Sequence, residues 1–268
     1  MKVVLTGDIK EKELVIKDGQ DCLLKIFLHK TQKTNKTVFI IPGGAYGGIC
    51  VRENEPIAKR FFNNGFNACY INYCVGEKAV FPNQVIQCRN ALDYIALNAD
   101  EFNIDKNRIV IIGFSAGAHL AGLVENLKSD VVDSSTIQPF CVIYCYPVVS
   151  SEKGYIHERS FRNLLKDDFN KYINDVSLEK IITKDSAPSF IFHCIDDREV
   201  DFRNSLILHN AYIKNNVSSE LHLFSKGGHG VALPTLECFN EEEIKYVNQD
   251  MIIWVDLCLK WLKERYKE

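Results

Sequence analysis

Ile109-Val110-Ile111-Ile112-Gly113-Phe114-Ser115-Ala116-Gly117-Ala118-His119-Leu120 reads as one structural sentence. Four β-branched apolar residues run into Gly-Phe-Ser-Ala-Gly, and small apolar residues follow at helical spacing. The pattern predicts a buried strand, a sharp turn and a helix, with the serine at the apex of the turn. Such a turn strains the serine backbone, and only small neighbours at Gly113 and Gly117 let strand and helix approach closely enough to make it. Ser115 is therefore the candidate nucleophile, with its hydroxyl lifted out of the sheet at a helix N-terminus. The alternative is a glycine-rich strand-to-helix turn without chemistry, as in a non-catalytic binding module.

The same alternation recurs on both sides. Leu14-Val15-Ile16 and Cys22–Leu28, separated by Asp18-Gly19, read as an antiparallel hairpin. Thr37–Ile41 is an uninterrupted apolar run of the kind buried on both faces, and it ends in Pro42-Gly43-Gly44-Ala45-Tyr46-Gly47-Gly48. A helix is expected over Asn54–Asn64, a strand over Phe66–Tyr73 and an amphipathic helix from Phe81 to Leu97. After the central stretch come apolar runs at Phe140–Tyr146, Ser189–Cys194 and Glu220–Phe224. Helices are expected near Phe202–Asn215 and Tyr246–Arg265. Residues 150–187 are polar and weakly periodic, too long for an ordinary connection, and read as an insertion or small lid. This is the pattern of an α/β fold: a mostly parallel central sheet with helices on both faces and an antiparallel N-terminal edge. Residues 1–268 are expected to form one domain, with functional loops at the carboxyl ends of the strands.

Composition narrows the function class. The 268 residues are 46% hydrophobic and 25% charged with a net charge of −3, which leaves no electrostatic footprint for nucleic acid or an anionic membrane. Of the ten cysteines, Cys69, Cys141, Cys145, Cys194 and Cys258 sit inside apolar runs, and no Cys-x-x-Cys occurs, so buried thiols are expected rather than disulfides or zinc ligands. No metal or organic cofactor is implied. No apolar run approaches membrane-spanning length. The N-terminus turns polar before a signal-peptide core is complete. The expected location is cytoplasmic, or extracellular if a leader has been removed.

A serine hydroxyl needs a base, and the base needs an acid to orient it. With this turn the expected chain order is Ser, then Asp or Glu, then His. Of seven histidines, His29, His119, His209, His222 and His193 lie in or beside regular elements, and His157 lies in the insertion. His229 sits in Lys226-Gly227-Gly228-His229-Gly230, a flexible loop past the last strand, and is the candidate base. The acid belongs just past Cys194, where Asp196 and Asp197 are adjacent, and spacing alone does not choose between them. Glu199 and Asp201 are weaker candidates. The charge developing on a tetrahedral intermediate needs N–H donors. The Ala116 amide is one, and the Gly43-Gly44-Ala45 loop supplies the others. No Gly-Lys-Ser/Thr follows that loop, which argues against a phosphate cradle.

Assembled, these segments resemble the α/β-hydrolase superfamily. Within it they are most similar to the small carbohydrate-esterase branch of acetyl xylan esterases, near the hormone-sensitive-lipase-like esterases. The resemblance is carried by Pro42–Tyr46, Asn98–Asp105, Ile112–Leu120, Ser177–Lys180, Asp197–Val200, Asn204-Ser205 and Lys226–Gly230, in the family's order over roughly residues 38–232. In such relatives the acid stands three residues before a valine, which selects Asp197 ahead of Val200. Ala45 departs from the third glycine of the usual loop, Ala118 from a glycine after the elbow, and Asp201 from a proline. The resemblance implies a Ser115–His229–Asp197 hydrolase of small esters, with Gly44, Ala45 and Ala116 as oxyanion donors and a small-molecule or oligosaccharide ester, foremost a sugar acetate, as substrate. General short-acyl, aryl or feruloyl esterases, and amidases or peptidases, share the same pattern.

Overall fold

The structure, a computed structural model, describes residues 2–6, 9–17, 21–30, 35–128 and 137–267. Strands β1 (Lys2–Thr6), β2 (Ile9–Lys17), β3 (Asp21–His29), β4 (Asn35–Ile41), β5 (Asn67–Asn72), β6 (Ile104–Phe114), β7 (Cys141–Cys145), β8 (Ser189–Cys194) and β9 (Ser219–Phe224) form one sheet. Their order is β1-β2-β3-β5-β4-β6-β7-β8-β9. From β5 to β9 every neighbouring pair is parallel. β1, β2 and β3 are antiparallel, and β3 joins β5 antiparallel. The expected N-terminal edge is thus present, with one strand more than a hairpin. The turn placed at Asp18-Gly19 lies outside the described residues.

Helices α1 (Glu55–Asn63), α2 (Asn83–Leu97), α3 (Ala99–Phe102), α4 (Ala116–Asn126), α5 (Glu158–Leu165), α6 (Phe169–Tyr172), α7 (Leu178–Ile181), α8 (Arg203–Lys214) and α9 (Ile253–Arg265) cover the sheet. The apolar runs work because alternate side chains leave opposite faces. Val38, Ile40, Val110, Ile112 and Phe114 pack with Ile57 and Phe61 of α1 and Trp254 and Trp261 of α9. Phe39, Ile41, Ile109 and Ile111 pack with Val85 and Leu92 of α2, Leu120 and Val124 of α4, and Leu208 of α8. A one-residue slip in β6 would exchange these two cores.

Residues 150–187 are more regular than their composition suggests. They carry α5, α6 and α7, and α5 buries Phe161, Leu164 and Leu165. That i, i+3, i+4 set is a short amphipathic stripe hidden among Lys, Asp and Asn. The C-terminal helix starts at Ile253, seven residues later than the periodicity predicts, because two short 3₁₀ turns precede it.

One buried polar cluster sits where α4 ends. The Glu125 carboxylate accepts from Asn126 Nδ2 at 2.9 Å, the Tyr144 hydroxyl at 3.3 Å, the Tyr212 hydroxyl at 3.4 Å and the Ala187 amide. Burial outweighs these hydrogen bonds and pushes Glu125 up to about 7. A carboxyl raised in the folded state stabilises the fold below its unfolded value and loses that contribution as pH rises through the folded one. Over pH 4.5 to 7 the loss is on the order of 3 kcal/mol, from about 1.4 kcal/mol per pH unit. Glu125→Gln, which cannot ionise, should therefore gain stability relative to the wild type across that window. Denaturant midpoints measured at pH 5 and pH 8 check this, and an unchanging difference between the two proteins would contradict it.

Candidate active site

Ser115 occupies the turn between β6 and α4 with φ 51° and ψ −117°, a region that side-chain-bearing residues rarely adopt. Its amide donates to Cys145 O at 2.9 Å, and its carbonyl accepts from Ala118, His119 and Val148. The flanking glycines are steric requirements. A Cβ on Gly113 would meet Ala118 Cα at 2.5 Å, and one on Gly117 would meet Ile41 O at 2.2 Å. The strand, the helix and the end of β4 therefore converge on the serine because nothing larger fits between them.

Ser115, His229 and Asp197, which come from three separate loops, are joined in a hydrogen-bonded chain. Ser115 Oγ lies 2.9 Å from His229 Nε2, and His229 Nδ1 lies 2.6 Å from Asp197 Oδ2. A carboxylate only accepts, so Nδ1 carries the proton of the neutral ring and Nε2 is left to accept from the serine hydroxyl. Asp197 Oδ1 accepts from the amides of Glu199 at 2.9 Å and Val200 at 3.0 Å. His193 Nε2 donates to Asp197 Oδ2 at 3.0 Å and to Val200 O at 3.1 Å, while Ser205 Oγ meets His193 Nδ1 at 2.8 Å. Burial alone would raise the Asp197 carboxyl. The hydrogen bonds from His193, His229 and the Val200 amide outweigh it and hold Asp197 well below the usual carboxylate range. Asp196 points elsewhere, accepting from the amides of Gly227 and Gly228 at 2.9 and 2.8 Å. It staples the loop that carries His229. His193 was not legible as part of this constellation, since a histidine inside a strand reads as core.

The Gly-rich loop after β4 runs across Ser115. Gly44, Ala45 and Tyr46 have φ of 127°, 53° and 57°, so the loop turns through left-handed conformations. The amides of Gly44, Ala45 and Ala116 donate to no acceptor among the described residues. Gly43 differs. Its N–H donates to Glu53 Oε2 at 2.7 Å, which removes it from the candidate oxyanion donors. The loop is anchored from outside by Asn163 of α5, which donates to Ala45 O at 2.8 Å. It is anchored from inside by Tyr46, whose hydroxyl donates to His119 Nδ1 at 2.7 Å. His119 Nε2 in turn donates to Val176 O at 2.7 Å, and burial pushes His119 down to about 4, so the ring stays neutral and structural.

Over Ser115 opens a cleft of about 270 Å³. His157, Arg159 and Glu199 line it, as do Arg52 and Glu53. Residues 150–187 thus reach the cleft through the start of α5. The loop over residues 233–245 acts one step removed: Phe239 supports the Arg52 guanidinium 4.6 Å above its ring. His29, His209 and His222 bond to Phe62 O, Ser219 and Glu220, away from the serine. Among the described residues no group of three or more His, Cys, Asp or Glu is placed to hold a metal, and no helix is long and apolar enough to cross a membrane. The ten cysteines form no disulfide.

The chain and its sheet have counterparts in known proteins. Endo-1,4-beta-xylanase B of Butyrivibrio fibrisolvens is 30% identical over 224 residues, covering 80% of this chain and 35% of that protein. The chain therefore spans about a third of that relative's length. MGS-M1, an alpha/beta hydrolase enzyme from a Medee basin deep-sea metagenome library, superposes with a TM-score of 0.80 at 26% identity, over 97% of this chain and 99% of that one. The acetyl ester-xyloside bifunctional hydrolase of Caldicellulosiruptor lactoaceticus superposes with a TM-score of 0.78 at 29% identity, over 92% and 89%. The BD-FAE family pattern matches residues 24–212, well over half of the sequence. The chain belongs to the BD-FAE family of α/β hydrolases.

Proposed function

We propose that this protein is a serine carboxylic-ester hydrolase acting on short-acyl esters of hydroxyl-rich alcohols, foremost acetylated xylo-oligosaccharides and other sugar acetates. The observation that carries the reading is the unbroken Ser115–His229–Asp197 chain beneath the unpaired amides of Gly44, Ala45 and Ala116. Ser115 Oγ attacks the ester carbonyl while His229 takes its proton, and Asp197 holds the tautomer and stabilises the imidazolium. The three amides receive the developing oxyanion. His229 then returns the proton to the departing alcohol, and water hydrolyses the acyl-serine by the same steps.

The lining of the cleft supports this substrate class. Its charged rim of Arg52, Arg159 and Glu199 suits an alcohol with many hydroxyls, and Ala45 also lines it. The name of the C. lactoaceticus relative, an acetyl ester-xyloside hydrolase, supports the same assignment. The test is turnover of acetylated xylo-oligosaccharides, feruloyl esters and 4-nitrophenyl esters of increasing chain length. Acetate should lead, with kcat/KM falling roughly tenfold or more by the octanoyl ester, the scale on which pocket size discriminates methylenes. Preference for octanoyl or feruloyl esters would overturn the acetyl assignment and leave the general esterase.

A further inference from the structure

One buried carboxyl at the site takes no part in the acyl transfer. Glu53 closes a single 3₁₀ turn after the Gly-rich loop and is 2% exposed, yet it lines the cleft. Its Oε2 accepts from the Gly43 amide at 2.7 Å, one residue before the candidate donors Gly44 and Ala45. A Cβ on Gly43 would lie 2.9 Å from that oxygen and 3.0 Å from Ser115 Cβ, so glutamate, loop and nucleophile are packed with no slack. The other oxygen, Oε1, accepts from the Tyr146 hydroxyl at 2.7 Å. Tyr146, with φ 39°, receives the Ala232 amide on the same hydroxyl at 3.1 Å, and its ring stands edge-on to His229 with centroids 5.0 Å apart. Ala232 lies three residues past His229. Its carbonyl is tied in turn to Trp254 Nε1 at 2.8 Å.

We propose that Glu53 is a positioning residue that holds two loops in one register: the oxyanion amides through Gly43, and the His229 loop through Tyr146 and Ala232. The inference rests on the serine-hydrolase reading of the site. A carboxyl buried without compensation is costly, and burial does push Glu53 above its usual range against the hydrogen bonds from Tyr146 and Gly43. A polar group kept in so costly a place, with both oxygens aimed at the two loops that must meet at Ser115, serves geometry that matters most when the oxyanion forms. Its removal should act on the transition state and leave ground-state binding alone.

The experiment compares Glu53→Ala, Glu53→Gln and Tyr146→Phe on 4-nitrophenyl acetate, with Ser115→Ala as reference. Glu53→Ala should lower kcat roughly 10²-fold or more, the scale of losing one oxyanion donor, with KM changed less than about threefold. A trifluoromethyl ketone, which forms a tetrahedral adduct on the serine, should lose affinity by a similar factor. Glutamine keeps an acceptor for Gly43 and offers an N–H to the Tyr146 oxygen, so it should restore kcat to within roughly tenfold of wild type. Should Glu53→Ala fail to fold, Tyr146→Phe, which keeps the packed ring, should still lower kcat by about tenfold at constant KM. Wild-type kcat in a folded Glu53→Ala or Tyr146→Phe protein would overturn the inference, as would a glutamine variant no better than alanine. Those outcomes leave the hydrolase reading intact as long as activity depends on Ser115; activity that survives Ser115→Ala would overturn the reading itself.

Discussion

Ser115→Ala is expected to reduce kcat on short-chain esters by a factor on the order of 10⁴ or more, with the melting temperature almost unchanged. The hydroxyl oxygen is the only heavy atom lost. Its removal leaves His229 Nε2 without the hydroxyl it faces, while the Ser115 backbone keeps its bonds to Cys145, Ala118, His119 and Val148. The residual rate should still exceed that in water by roughly 10³-fold, because the oxyanion amides and the bound geometry remain. A loss of fold in the alanine variant is not expected: the strain at φ 51° is imposed by the convergence of β4, β6 and α4 at Gly113 and Gly117, and not by the hydroxyl. Retention of most activity in the folded variant would remove Ser115 from the mechanism.

Asp197→Asn carries the second large effect, on the order of 10³- to 10⁴-fold in kcat. Asp197 Oδ1 is fixed by the amides of Glu199 and Val200, which need an acceptor, so an asparagine must place its NH₂ at the Oδ2 position. That group would face His229 Nδ1 and drive the proton to Nε2, where it blocks acceptance from Ser115. It would also confront the His193 N–H. Asp196→Asn is the matched control. Asp196 uses Oδ1 alone, to accept from Gly227 and Gly228, and asparagine preserves that oxygen. Its kcat should fall less than about tenfold. Steady-state kinetics on both variants decide the matter, and equal losses would contradict the assignment of Asp197 as the orienting acid.

This pair also shows where the sequence stops being readable. The strand–turn–helix around Ser115 is legible because periodicity, the two glycines and the small helix residues all point the same way. The choice between Asp196 and Asp197 is not, because both follow β8 and either side chain reaches the loop. The resemblance selects Asp197 by its spacing to Val200. The structure gives that spacing a physical meaning: the carboxylate closes a turn onto the Val200 amide, which aims the other oxygen at His229. Glu53 is harder still. In Val51-Arg52-Glu53-Asn54-Glu55 it looks like surface charge at a helix start, and its role depends on Tyr146, 93 residues away. The α5 stripe was masked for a different reason, since three buried residues in an eight-residue helix give too few repeats to stand out against polar neighbours.

Acyl transfer through Ser115 Oγ requires a covalent acetyl-serine intermediate. Mixing the enzyme with excess 4-nitrophenyl acetate, quenching in acid within the first turnover and mapping the peptides by mass spectrometry tests it directly. The structure predicts one acetyl group on the peptide holding Gly113-Phe114-Ser115-Ala116-Gly117, absent in Ser115→Ala and accompanied by a burst of 4-nitrophenol matching the enzyme concentration. Acetylation at another residue, or full turnover with no acyl-enzyme and no dependence on Ser115, would contradict it.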